Sequence, residues 1–280
     1  SLDYMLFFEL DPQPFSVSMP KVLLPNLKEL HITNDRIHCI QALFTVLSVP
    51  RTAVIEVKAD SLLEEDGERI SDFLKTVVTM YETTGPCPEG AAIRRVFKLR
   101  VEETSKGARS ASFWDETNSV GEGRPKLMVR FLPLSLTFLL GGIQGAFDLS
   151  SLRHLTISYL DDMTTSNWSL FYSVKASETI RFEGKASLHK FLRTMATTQP
   201  RTSIPPPFPA LRKLVLYSVN FKQYDDLLLS IPSMLFEAIK NRPVGYLLHK
   251  LKIINAENLS RGTVARLSEV VEVDWYVEVN

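Results

Sequence analysis

The sequence predicts an α/β chain in which short parallel strands line one face and helices line the other. One pattern, leucine-x-x-leucine-x-leucine or isoleucine, recurs as Leu27-Lys28-Glu29-Leu30-His31-Ile32, Leu152-Arg153-His154-Leu155-Thr156-Ile157, Leu211-Arg212-Lys213-Leu214-Val215-Leu216 and Leu248-His249-Lys250-Leu251-Lys252-Ile253. Its alternating apolar positions describe a strand with one buried face, and the leucine three residues upstream marks the turn that enters the strand. Between these strands the apolar spacing changes to three and four residues, the period of a helix buried along one side. A unit that cannot bury its apolar face alone stacks on its neighbours. The expectation is therefore an irregular leucine-rich-repeat solenoid, with residues 1–280 forming a single domain.

Weaker copies fall between the clear ones, at Ile55 and Val57, Phe97 and Leu99, Val129 and Phe131, Ile180 and Phe182, and Val271 and Val273. Their spacing is uneven, because the interval from Ile55 to Phe97 exceeds the roughly 20–29 residues of one leucine-rich unit. Helices are predicted over Arg36 to Leu47, Glu68 to Tyr81 and Ser187 to Met195, each with apolar residues on one face. Ser260 caps a further helix carrying Val264, Leu267 and Val270. Leu227 to Ile239 reads as a helix that Pro232 kinks or divides. The run from Phe131 to Phe147 reads as a strand end followed by a buried helix. Residues 104–124, polar and carrying Gly107, Gly121 and Gly123, read as an inserted surface loop or hairpin tip. Residues 199–209, with Pro200, Pro205, Pro206, Pro207 and Pro209, read as a stiff extended connector.

Composition removes several function classes. The 32 basic and 32 acidic residues cancel, so global charge gives no case for nucleic acid or an anionic membrane. Cys39 and Cys87 lack metal-ligand spacing and read as reduced thiols of an intracellular protein, cytoplasmic or nuclear. Leu6-Phe7-Phe8 is too short an apolar run for a signal peptide. The uncharged run from Phe131 to Phe147 is shorter than the ~20 residues of a membrane span, and Pro133, Gly141, Gly142 and Gly145 interrupt it. Asn167-Trp168-Ser169 and Asn258-Leu259-Ser260 match the glycosylation triplet, a pattern that chance often produces.

No catalytic group, metal site or cofactor is nominated. Gly141-Gly142-Ile143-Gln144-Gly145 lacks the spacing and the lysine of a phosphate loop and reads as a loop or helix end. Glu64-Glu65-Asp66, Asp161-Asp162 and Asp225-Asp226 fall where helices begin, where carboxylates complement the helix dipole. His31, His38, His154, His189 and His249 show no ligand spacing. The chain reads as a non-catalytic protein.

The informative surface is the outward side of the strands. Alternation from the buried positions turns His31, Glu56, Lys98, Arg130, Thr156, Arg181, Val215 and Lys252 outward, with Arg100 and Tyr217 two residues further along. Lys98, Arg100, Arg130, Arg181 and Lys252 make this face basic in a neutral chain. Such a strip suits an acidic or phosphorylated protein segment; the competing reading is an ordinary solvated sheet face. A register slip of one residue would turn these side chains inward.

Leu24-Pro25-Asn26-Leu27-Lys28-Glu29-Leu30-His31-Ile32, the helix from Cys39 to Leu47 and Ser48-Val49-Pro50 carry a family resemblance. Phe208-Pro209-Ala210-Leu211-Arg212-Lys213-Leu214 and the ending Leu251-Lys252-Ile253, Asn258-Leu259-Ser260 and Val271-Glu272-Val273-Asp274-Trp275 extend it. Through these stretches most of residues 20–280 resembles the leucine-rich-repeat regions of fungal (mushroom-type) F-box proteins. The resemblance implies the substrate-receptor part of a Skp–cullin–F-box ubiquitin ligase, in which the F-box docks the Skp adaptor and the repeats hold the protein substrate. Ser1 to Pro20 does not supply the roughly forty-residue F-box, so adaptor and cullin are expected only through an F-box absent from this sequence. The alternative is a leucine-rich-repeat scaffold or inhibitor unrelated to ubiquitin.

Overall fold

The computed structural model describes residues 20–34, 36–50, 52–60, 66–82, 95–104, 107–115, 123–132, 134–160, 163–169, 171, 174–184, 188–196, 206–222 and 229–278. They form a mixed α/β structure with mostly parallel strand pairing and, among the described residues, seven α-helices. The chain divides into two compact units: Ser1–Leu99 with Glu103–Leu149, and Arg100–Glu102 with Ser150–Asn280.

In the first unit β1 (Val22–Leu23) pairs in parallel with β3 (Leu47–Ser48). The main strands are β2 (Glu29–Asn34), β4 (Val54–Ala59), β6 (Arg109–Trp114) and β7 (Leu127–Phe131), and β5 (Lys98–Glu103) is shared between the units. β2 runs parallel to β4 with Leu30 beside Ile55, and β4 runs parallel to β7 with Val57 beside Val129. β6 is antiparallel to β7, with Ala111 opposite Val129. Residues 104–124, expected to be a surface loop or hairpin tip, thus contain a strand. The reason is local: Ala111 and Phe113 alternate with Ser110 and Ser112, whose short side chains bury on the opposite side, and the Phe113 ring stacks on Phe147 at 4.3 Å. The turn between β5 and β6 closes with Thr104 N–H donating to Ala108 O at 2.8 Å and places Gly107 at φ +73°. Because this hairpin reverses the chain, β7 and not β5 lies beside β4.

Three helices bury the other side of these strands: α1 (Ile37–Val46) through Ile37, Ile40 and Phe44, α2 (Asp66–Glu82) through Ile70, Phe73, Leu74 and Val77, and α3 (Leu136–Ala146) through Leu139, Leu140 and Ile143. The Phe73 ring lies 6.0 Å from both Phe44 and Phe131, joining helix to helix and helix to strand. The glycine cluster read as a loop or helix end is the interior of α3. Gly142 faces α2, and a Cβ there would stand 2.5 Å from Ile70 Cγ2. Close approach of two helices, not anion binding, is its use.

In the second unit β8 (His154–Ser158), α4 (Thr165–Ser169), β9 (Thr179–Glu183), α5 (Leu188–Ala196), β10 (Lys213–Tyr217), α6 (Ile231–Lys240), β11 (Lys250–Ile254), α7 (Arg261–Ser268) and β12 (Glu272–Tyr276) alternate. The strands lie side by side in chain order, all parallel, with Leu155, Ile180, Leu214, Leu251 and Val273 in one row. Parallel neighbours require a crossover, and each helix supplies one. The helices are neighbours in the same order, α4 on α5, α5 on α6 and α6 on α7.

The backbone at both strand ends recurs. At the start, Glu178 and Thr179 donate to Arg153 O, Arg212 and Lys213 to Glu178 O, and His249 and Lys250 to Arg212 O, at distances of 2.8–3.0 Å. At the end, Tyr159, Gly184, Ser218 and Asn255 take φ of 55°, 66°, 53° and 52°. Their N–H groups donate to the carbonyls of Glu183, Tyr217, Ile254 and Tyr276, the last residues of the neighbouring strands. A left-handed conformation costs a non-glycine residue roughly 1–2 kcal/mol. Its recurrence at one position shows that this ladder holds it there.

Trp168 centres the core of this unit, with ring centroids 6.0, 5.8, 5.1 and 6.3 Å from Phe171, Phe182, Phe191 and Phe208. Ser260 caps α7 as expected, its Oγ accepting from Thr263 N–H at 3.1 Å. Pro232 neither kinks nor divides its helix. It stands in the first turn of α6, where the missing N–H would have no helical partner. Glu64, Glu65, Asp161, Asp162, Asp225 and Asp226 lie outside the described residues, as do 199–205 of the proline connector. Its end is buried at Pro206 and Phe208.

Arg242 anchors that end. The side chain is 4% exposed and has no carboxylate contact among the described residues. It donates to Tyr246 O at 2.6 Å and to Phe208 O at 3.0 Å, and burial pulls its pKa down to about 10, with the Arg212 charge adding to the effect. Hydrogen bonds from a charged donor contribute ~1.5–3 kcal/mol. Arg242→Met is expected to lower unfolding stability by about 2–3 kcal/mol in chemical denaturation, since it takes the charged donor away from the carbonyls of Tyr246, Phe208 and Pro207. A change below ~0.5 kcal/mol would show that the carbonyls find other donors.

Candidate functional site

The outward sides of the strands carry every residue expected there, divided between the two units. In the first unit His31 and Glu56 are in register on β2 and β4, with His31 Nδ1 3.0 Å from Glu56 Oε2. Arg130 stands one row along, beside Lys58, and its buried Nε has no hydrogen-bond partner among the described residues. Lys98 Nζ sits 4.5 Å above the Trp114 ring, whose Nε1–H donates to Gly123 O at 2.6 Å.

In the second unit three rows run across the strands. Their members are His154, Thr179, Lys213, Lys250 and Glu272; then Thr156, Arg181, Val215, Lys252 and Asp274; then Ser158, Glu183, Tyr217, Ile254 and Tyr276. Thr156 and Val215 are buried on this face at 7% and 5% exposure. Val215, expected outward, does point that way, but its short side chain lies in register between the long side chains of Arg181 and Lys252, which cover their neighbours with aliphatic stems.

The basic strip is more elaborate than its sequence suggests. Glu183, buried at 7% exposure, is its centre. Its Oε2 accepts from Ser158 Oγ at 2.6 Å and lies 2.9 Å from Arg100 Nη2, while its Oε1 lies 2.6 Å from Arg181 Nε. That last contact is ionic, because the Nε–H is not aligned for a hydrogen bond. Arg100 Nε also donates to Glu102 Oε2 at 2.7 Å. Aromatic rings hold the cations from beside: the Arg181 guanidinium lies 4.8 Å from the Tyr217 ring centre and Lys252 Nζ 5.0 Å from that of Tyr276.

Sequence reasoning followed the alternation to Arg181 and Lys252 but passed over Glu183, Ser158, Tyr276, Asp274 and Lys250. Carried two residues beyond each strand centre, the same alternation reaches Ser158, Glu183 and Tyr276. The contact of Ser158 with Glu183, and that of Tyr276 with Lys252, depends on register, which one strand alone does not reveal.

Lys250 illustrates the electrostatics. Its hydrogen bonds to Asp274 and Glu272, 2.8 and 2.9 Å away, push its pKa up to about 12. The folded value lies above the ordinary 10.5, so the contribution is complete below about 10.5 and is lost as pH rises through about 12. The stability difference between the parent and Lys250→Met should therefore shrink across that window when denaturant midpoints are compared. A difference independent of pH would contradict the pairing.

No group of histidine, cysteine and carboxylate side chains able to hold a metal ion occurs among the described residues, and no described helix is long and apolar enough to cross a membrane. Compared with known proteins, the chain matches no protein-family model, no curated protein and no solved structure.

Proposed function

We propose that this chain is a non-catalytic protein-recognition module, an irregular leucine-rich-repeat solenoid that presents its strand face to a protein partner. One observation carries the reading. In the second unit the same strand start, left-handed exit and following helix recur in chain order, and the in-register strands leave a continuous outer face. Stacked units of this kind build extended surfaces suited to binding.

The sequence resemblance extends the proposal to the substrate-receptor part of a Skp–cullin–F-box ubiquitin ligase in the cytoplasm or nucleus. The strand face then holds the protein to be ubiquitinated, and adaptor and cullin are engaged through an F-box that these 280 residues do not supply. Affinity purification of the full-length gene product from its own cells, followed by mass spectrometry, tests this. Recovery of a Skp adaptor and a cullin is expected. A stable complex lacking both would contradict the ligase role and favour a scaffold or inhibitor on the same fold.

A further inference from the structure

We propose that Arg100 and Arg181, held by the buried carboxylate of Glu183, form a receptor for one oxyanion of the bound protein, a carboxylate or a phosphoryl group. The inference rests on the recognition reading above and specifies the chemistry of its face. Glu183 fixes one nitrogen of each guanidinium, at 2.9 Å for Arg100 Nη2 and 2.6 Å for Arg181 Nε. Glu102 takes Arg100 Nε, and the Tyr217 ring supports the Arg181 plane. Among the described residues, Nη1 of Arg100 and both terminal nitrogens of Arg181 then have no partner. The two side chains are 36% and 38% exposed, so these donors are within reach of a ligand.

Charge across the face favours an anion. Each of its acids already touches a cation: Glu102 and Glu183 the two arginines, Glu272 and Asp274 the Lys250 ammonium. Lys213 and Lys252 touch no acid among the described residues, and Lys252 shares a row with Arg181 two strands away, roughly 10 Å by strand spacing. The residual field is positive around donors already fixed in place. Planar guanidinium groups bind carboxylate and phosphoryl oxygens in pairs, and fixing them beforehand reduces the ordering penalty on binding. Glu183 itself is too buried to serve as ligand; it acts as a positioning residue.

The test uses the whole 280-residue chain, immobilised, and three degenerate peptide libraries alike except for a fixed central glutamate, phosphoserine or glutamine. Retention of the glutamate or phosphoserine library above the glutamine library is expected, and the library preferred identifies the oxyanion. Retention should fall at least tenfold in Arg181→Gln and recover in part in Arg181→Lys, with circular dichroism confirming the fold. Should Arg181→Gln fail to fold, Lys252→Gln, which removes a cation that among the described residues touches only the Tyr276 ring, should weaken retention severalfold. Equal retention of all three libraries, or of none, overturns the receptor. Partner capture by the full-length product judges the recognition reading separately, so the two can fail independently.

Discussion

Gly142→Val should lower unfolding stability by about 2–3 kcal/mol, whereas Gly141→Ala, one residue earlier in the same helix, should raise it by ~0.5–1 kcal/mol. The two glycines share a helix and differ in what lies opposite. A Cβ at Gly142 meets Ile70 Cγ2 at 2.5 Å, Ile70 Cβ at 3.3 Å and the Ser71 backbone nitrogen at 3.3 Å, with Ile70 fully buried. Relief requires α2 and α3 to separate. A Cβ at Gly141 meets nothing within 4 Å among the described residues, so alanine there only removes the conformational freedom of glycine in a helix interior. Chemical denaturation of both variants checks the pair. Equal effects would show that helix propensity, and not close helix packing, governs these positions.

The largest single loss is expected from Trp168→Ala, about 3–5 kcal/mol. The indole is fully buried among Phe171, Phe182, Phe191 and Phe208, so its removal leaves a cavity bounded by rings from three successive strand–helix units. Trp168→Phe should lose less than half as much. It keeps a ring in the cluster and removes a buried Nε1–H that has no hydrogen-bond partner among the described residues, a group whose burial is itself unfavourable. If the phenylalanine variant were as unstable as the alanine one, ring volume rather than aromatic packing would have to explain the site.

Much of the second unit is legible in the sequence because each clear unit holds its information locally. Leu155 with Ile157, Leu214 with Leu216 and Leu251 with Ile253 alternate within five residues, and the strands form where that alternation places them. Helices α1, α2, α5 and α7 follow from three- and four-residue spacing for the same reason. What failed was non-local. That β7 lies beside β4 depends on a hairpin whose second strand reads as a loop, since Ser110 and Ser112 dilute its apolar positions. Pro232 reads equally well as a break or a beginning, and only the position of the first helical turn decides. For the candidate site, alternation gave the direction of Arg181 and Lys252 but not the groups that hold them. Glu183 follows Arg181 on the same strand, whereas Tyr217 and Tyr276 come from neighbouring strands and meet Arg181 and Lys252 only through register.

The central claim is that the outer strand face of the second unit contacts a protein partner. Site-specific photo-crosslinking in the full-length product tests it most directly, with a photoreactive phenylalanine placed at Tyr217 on that face or at Glu237, exposed on α6. The account predicts a discrete crosslinked partner from position 217 and none from position 237. A partner captured from 237 but not from 217 would contradict it and move recognition to the helices.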